Sequence, residues 1–401
     1  MHSLMISDVF FPRINGVSTS IESFREALAA LHIRTSLIAP RYPAQQGRAD
    51  GPTIHRVGSL PLPFDPEDRL MRRRFIRELL PLLREDRPDL VHVQTPFAAH
   101  YAGLELAQAL GVPCIASYHT YFEEYLFHYI PLLPRNLLRR LARNFSRGQC
   151  NALDGIIVPS RAMVETLEGY GVTAALHVLP TGLAESRFVG GCGDFFRLRY
   201  GIAAHRKMLL YVGRVAFEKN IGFLLEMLAR LKDDQPQALL VVTGEGPALR
   251  ALQEQASALG LDGFVRFIGY LDRHTELHDC YRAADVFVFA SRTETQGLVL
   301  LEAMALGTPA VALAEMGTCD ILEGEKGCRI APADAEGFAR VIARLLDDPA
   351  TLQRLSAEAR EHARSWSAGS MARRLASLYG MWTGTSPGPL RLGKGAPADA
   401  T

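Results

Sequence analysis

Short apolar runs rich in β-branched residues alternate with amphipathic helical stretches through most of the chain, the pattern of βα units that build parallel sheets. The first half predicts strands at "SLMIS", "TSLIAP", "DLVHVQ", "PCIASYH", "GIIVPS" and "LHVLPT". The second half restarts the rhythm with "MLLYVG", "ALLVVTG", "VRFIG", "VFVFAS" and "PAVALA". Between the two series lies "RFVGGCGDFFRLRYGI", whose Gly190, Gly191 and Gly193 suit a hinge. The expected fold class is α/β: two doubly wound, Rossmann-like domains facing each other across a cleft. The end of the chain differs. Residues 349–382 are helical in pattern without strands, and residues 383–401 have the Gly, Pro and Ala content of a disordered tail.

Composition narrows the function classes. A chain of 401 residues with 48% hydrophobic content can bury two cores of ordinary size. Its 44 basic and 43 acidic side chains leave a formal charge of +1, so no global field calls for nucleic acid as a partner. Cysteines 114, 150, 192, 280, 319 and 328 are scattered, with no CxxC pair and no His cluster at metal-ligand spacing, which predicts reduced thiols in a cytosol. The start of the chain lacks the pattern of a secretion signal, and no apolar run reaches membrane-spanning length.

In open parallel sheets, ligands bind beyond the carboxyl ends of the strands, where loops lead into helix N-termini. One such loop, "RTETQ", ends at Gly297, which opens a helix apolar on nearly every face yet interrupted by Glu302. A helix of that kind is buried, so its carboxylate needs a polar partner. Two partners suit Glu302: a ribose whose diphosphate rests on the helix end, or an arginine. Glu294 is a loop acid at the strand end, where it also suits the helix dipole. Gly297 and Leu298 offer backbone N–H groups that suit a phosphate.

Other strand ends carry further polar groups. Arg214 and Lys219 in "LLYVGRVAFEK" stand beside a helix start, where two cations are unfavourable unless an anion lies between them or both are solvated. Gly244 and Gly246 permit a close backbone approach or form a plain turn. Asn15 and Gly16 precede a helix expected to be capped by Ser18 or Thr19, and Gly16 would let a diphosphate approach from the first half. His119 falls just past a strand end, as a structural ring or a cleft residue.

Taken together, "ETQGLVLLE" and "GRVAFEK" resemble the donor-site motifs of glycosyltransferase family 4, retaining enzymes of the GT-B fold. "FFPRINGVSTSI", "YHTYFEEYLFHYIP" and "LPTGLAESRF" resemble the branch that glycosylates diacylglycerol or related lipids. The family's more usual "EPFG" or "EGFG" stands here as Glu294-Thr295-Gln296-Gly297. The resemblance runs from residue 3 to residue 382. It implies an acceptor-binding domain at 1–187 completed by a returning helix at 366–382, a nucleotide-sugar domain at 188–365, and a tail at 383–401. It further implies His119, Glu294, Arg214 and Lys219 as catalytic residues. The nucleotide-sugar site would comprise Gly16, Arg214, Lys219, Gly244, Glu294, Gly297, Leu298 and Glu302. No metal and no cofactor are expected, because the two cations would stabilise the leaving diphosphate and no Asp-x-Asp motif is present.

Two arginine-rich segments bear on the acceptor. "DRLMRRRFIRELLPLLRE" carries Arg72, Arg73 and Arg74, and "YIPLLPRNLLRRLARNFSRG" carries Arg139, Arg140 and Arg143. Basic amphipathic helices lie on anionic membrane surfaces, although a solvated face with inward leucines would read the same way. The expected function is hexose transfer from a nucleotide sugar, a UDP-sugar ahead of GDP-mannose, to a membrane lipid such as diacylglycerol. The enzyme would be cytoplasmic, peripheral on the inner face of the cytoplasmic membrane. The rival readings are a glycosyltransferase for a soluble, lipopolysaccharide or polysaccharide acceptor, a hydrolysing nucleotide-sugar epimerase, and a non-catalytic nucleotide-sugar-binding protein.

Overall fold

A computed structural model describes residues 1–13, 15–42, 50–61, 69–118, 135–273 and 275–384, apart from the side chains of 135–137. The first half contributes β1 (His2–Ile6), β2 (Arg34–Pro40), β3 (Ile54–Val57), β4 (Ser59–Pro61), β5 (Arg69–Met71), β6 (Leu90–Val93), β7 (Cys114–Ser117), β8 (Gly155–Val158) and β9 (Leu176–Val178). The second contributes β10 (Lys207–Val212), β11 (Ala238–Thr243), β12 (Val265–Gly269), β13 (Val286–Phe289), β14 (Ala310–Ala312) and β15 (Cys328–Ile330). One sheet has the order β3-β2-β1-β6-β7-β8-β9 and the other β12-β11-β10-β13-β14-β15, with parallel pairing throughout both. Strand order reverses between β1 and β6, and again between β10 and β13. Those reversals open crevices at the strand ends, the places where such sheets bind ligands.

The strands read as unbroken apolar runs because helices cover both faces, and β11 is buried along its whole length. One core surrounds the second sheet, while two smaller ones lie on opposite faces of the first. The second of these is completed by the final helix, Ala368–Thr383, whose Met371, Leu375 and Tyr379 pack with Met5 and Ile21 from the start of the chain. Tyr379 Oη lies 2.7 Å from His92 Nδ1 inside the first sheet. Gly155 is required beneath it, since a Cβ there would meet the Trp382 ring at 2.4 Å. The helix thus crosses back onto the first sheet as expected, beginning and ending slightly later than 366–382.

The chain passes between the sheets at Thr181–Leu183: Leu179 belongs to a core of the first sheet and Leu183 to that of the second. It returns beside the same point, where Leu183 and Ser367 form a parallel bridge. At Gly182 a Cβ would stand 2.6 Å from the Ala368 Cα, so the two crossings touch. This corrects the hinge expected at Gly190, Gly191 and Gly193. A Cβ at Gly191 would meet the His278 carbonyl oxygen at 2.6 Å and one at Gly193 that of Arg282 at 2.5 Å, so the segment is packed onto helix Glu276–Ala283.

The segment expected as one basic helix is also corrected. Its described residues, 69–85, form strand β5 paired antiparallel with β4, then short helices Arg73–Arg77 and Leu80–Glu85, with Pro81 at the start of the second. Ile76 and Leu83 are buried, while Arg73 and Arg77 both pair with Glu105. Residues 135–150 do form one helix, Arg135–Cys150. Leu138, Ala142 and Ser146 face inward, and Arg139, Arg140, Arg143, Leu141 and Phe145 are exposed. The expected tail beyond residue 384 lies outside the described residues.

Candidate active site

The ends of β10 and β13 meet the start of helix Gly16–Ala30 across a cleft lined by Gly16, Arg214, Lys219, Glu294, Gly297 and Leu298, among others. Six of the residues expected from the sequence therefore converge. The cleft holds about 1400 Å³ of open space.

Each wall has a local cause. Helix Gly16–Ala30 is capped by Asn15, whose Oδ1 accepts from Ser18 N at 2.8 Å, so Ser18 and Thr19 are not its caps. Gly16 forms its first turn, and nothing lies within 4 Å of the place a Cβ would take, which leaves the helix end open to the cleft. Helix Leu298–Ala305 begins at Gly297, whose φ of 89° is left-handed backbone that glycine adopts without strain. Both helix starts line the same space, and the first N–H groups of a helix lack partners within it, so this is a favourable place for an anion.

The cations and the acid are arranged around those starts. Lys219 Nζ donates to Glu294 Oε2 at 2.7 Å, and both are about three-quarters buried. Arg214 is mostly exposed, with its guanidinium 4.0 Å from Glu218. The loop after β10 is braced from below, where Tyr211 Oη donates to the Arg214 carbonyl at 3.2 Å and burial pushes the Tyr211 phenol upward in pKa. Asn220, in left-handed backbone at φ 56°, donates to the Ala290 carbonyl at 3.1 Å and so ties the Lys219 turn to the end of β13.

A second hollow shares Val212, Gly213, Arg214 and Val299 with the first and is also lined by Gly244, Arg273 and Glu302. Glu302 is 6% exposed and its arginine partners are real. Tyr281 Oη donates to Oε2 at 3.0 Å, Arg273 donates to Oε1 at 3.4 Å, and Arg187 Nε stands 3.9 Å away. Gly244 allows close approach by the chain itself, since a Cβ would lie 1.9 Å from the Gly213 carbonyl oxygen. Sequence reasoning missed Tyr281, Arg187 and Arg273, which come from three separate segments. Only the isolated acid in an apolar helix signalled that such partners existed. His119 lies outside the described residues. Among the described residues, no group of three or more His, Cys, Asp or Glu is placed to hold a metal ion, and no helix is long and apolar enough to cross a membrane.

Two parallel sheets with their strand ends turned to a shared cleft are the architecture of the GT-B fold. The same fold is seen in Anabaena HepE in complex with UDP, with a TM-score of 0.73 at 17% identity, over 95% of this chain and all of that one. Residues 14–187 match Glycosyltransferase Family 4, and residues 194–362 match Glycosyl transferases group 1. An alpha-monoglucosyldiacylglycerol synthase of Streptococcus pneumoniae is 33% identical over 323 residues, spanning 77% of this chain and 70% of the relative. The synthase of the same name from Acholeplasma laidlawii is 25% identical, over 77% of this chain and 79% of the relative. A GDP-mannose-dependent alpha-mannosyltransferase of Mycobacterium tuberculosis is 29% identical, over 79% of this chain and 80% of that protein. The chain belongs to glycosyltransferase family 4. It is a glycosyltransferase that acts on nucleotide sugars.

Proposed function

We propose that the protein transfers a hexose, with retention of configuration and without a metal ion, from UDP-glucose or a related UDP-sugar to diacylglycerol or a similar membrane lipid. The observation that carries this reading is the 33% identity to a diacylglycerol-glycosylating relative across both halves of the chain. The outer face of helix Arg135–Cys150 supports it: Arg139, Arg140 and Arg143 surround Leu141 and Phe145, which are 48% and 36% exposed. Arginines around exposed apolar groups suit an anionic bilayer surface. On this reading the enzyme works at the inner face of the cytoplasmic membrane. Residues 1–187 with 366–382 receive the lipid, and 188–365 hold the donor.

The donor's diphosphate lies between the Gly16 helix start and the Gly297 and Leu298 N–H groups, flanked by Arg214 and Lys219. The nucleoside occupies the hollow over Gly244, where the ribose hydroxyls donate to lone pairs of Glu302 beyond those held by Tyr281 and Arg273. Glu294 accepts from hydroxyls of the sugar. As the bond between the anomeric carbon and the diphosphate oxygen breaks, negative charge grows on the diphosphate, and the fixed cations and helix ends lower the barrier. The acceptor oxygen bonds to the anomeric carbon on the same face, and its proton passes to the departing phosphate oxygen. The family resemblance gives His119 a catalytic role in this transfer.

The test is incubation of the purified protein with labelled UDP- and GDP-sugars, with and without diacylglycerol liposomes, and identification of products by mass. A hexosyl-diacylglycerol formed from a UDP-sugar is expected. Transfer confined to a soluble acceptor would overturn the lipid assignment, and transfer only from GDP-mannose would overturn the donor assignment.

A further inference from the structure

The loop bearing Glu294 is held from two sides, and one of these holds comes from the crossing between the domains. On the donor side, Gly317 N donates to the Glu294 carbonyl at 2.9 Å, and a Cβ at Gly317 would lie 2.0 Å from the Thr295 carbonyl oxygen. On the other side, Gln296 is bound at both ends of its amide. Thr181 N–H donates to its Oε1 at 3.0 Å, and its Nε2 donates to the Thr181 carbonyl at 2.6 Å. Both residues are buried, Gln296 at 8% exposure and Thr181 at 9%.

Thr181 is itself fixed to the first domain. Its Oγ1 lies 2.9 Å from Ser20 Oγ in helix Gly16–Ala30, and two residues on, Leu183 is bridged to Ser367. A continuous chain of contacts therefore runs from the helix that starts at Gly16, through Thr181, to Gln296 and the adjoining Glu294. A side-chain amide supplies one donor and one acceptor to a single peptide, which fixes both position and orientation; an ionised carboxylate supplies only acceptors.

We propose that Gln296 is a positioning residue, holding Glu294 in register with the part of the diphosphate site that the first domain builds at Gly16. Both ends of its amide are engaged on Thr181, so it acts through Glu294. This rests on the reading of Glu294 as the sugar contact.

The experiment compares Gln296→Ala and Gln296→Glu with the wild type in turnover, UDP affinity by calorimetry, and amide hydrogen exchange. Gln296→Ala should lower kcat about 10- to 100-fold, the loss of one or two buried hydrogen bonds, with UDP affinity within about threefold. Gln296→Glu should be similarly impaired at about pH 8 and recover relative to wild type towards about pH 5.5, because a protonated carboxyl restores the donor and acceptor pair. A role in stability alone would lower the melting temperature and UDP affinity together and give no such recovery. A Gln296→Ala kcat within twofold of wild type, or a Gln296→Glu ratio flat with pH, would overturn the proposal. Wild-type protein that binds UDP but transfers no sugar would instead refute the functional reading. The clamp is then judged by exchange of the Thr181 amide, which must quicken at least about tenfold in Gln296→Ala, and unchanged exchange refutes it.

Discussion

Lys219 and Glu294 meet at 2.7 Å although 75 residues separate them, one on the turn after β10 and the other on the loop after β13. The pair joins the two walls of the strand-order reversal, where leaving group and sugar are proposed to part. Glu294→Gln keeps a neutral acceptor for Lys219 and removes the carboxylate charge. Turnover should fall about 100- to 1000-fold while UDP affinity changes little, because the lost interaction is strongest in the transition state. Steady-state kinetics with calorimetry check this, and near-normal kcat refutes the role.

In the proposed mechanism, Arg214 and Lys219 take the place of a divalent ion beside the diphosphate. Activity should survive EDTA at full strength, whereas Lys219→Ala should lower kcat/KM by at least about 100-fold. Loss of activity in EDTA that magnesium restores would contradict the cationic clamp.

Membrane docking should depend more on helix Arg135–Cys150 than on the Arg72 to Arg74 turn, because Arg73 is already paired with Glu105. Replacing Arg139, Arg140 and Arg143 with glutamine removes at most about 3 kcal/mol of attraction to anionic liposomes, less as salt rises. Changing Leu141 and Phe145 to serine should weaken the remaining binding. Sedimentation reads both effects, and the melting temperature should hold because these side chains are exposed. Wild-type protein that ignores anionic liposomes at low salt would sink the docking idea.

Asp8, just past β1, is buried at the start of helix Ala98–Leu110. Its Oδ2 accepts from Ala99 N and Thr95 Oγ1, each at 2.9 Å. Desolvation by burial raises its pKa from 3.8 to about 6. The folded state therefore holds this proton more tightly than the unfolded chain. Its favourable contribution is complete at acid pH and is lost as pH rises through about 6. Relative to Asp8→Asn, wild-type stability should fall by about 2 kcal/mol between about pH 4.5 and 7.5. Urea unfolding across that range measures it, and a pH-independent difference would refute the assignment.

Every strand expected from apolar runs is present, because a strand covered on both faces must be apolar along its length. Polar residues interrupt the others: β15 carries Arg329, the β4–β5 hairpin Ser59 and Arg69, and β3 His55 and Arg56. The converging site was legible where one residue type had a local reason, as at Gly297 or Glu294. Gln296 was not, since its partner is the backbone of Thr181, which any sequence provides. Segment 68–85 misled because arginines at helical spacing look alike whether they face solvent, lipid or Glu105.

The return of helix Ala368–Thr383 onto β1 and helix Gly16–Ala30 reaches beyond the finished shape to the order in which it is made. The first strands to leave the ribosome wait for the last helix before Met5 and His92 gain Met371 and Tyr379. At ordinary synthesis rates that delay is tens of seconds, time enough for the second sheet to close first. The first sheet, although first in sequence, is then the later one to finish. A stop codon near residue 366 would damage the opposite end of the protein.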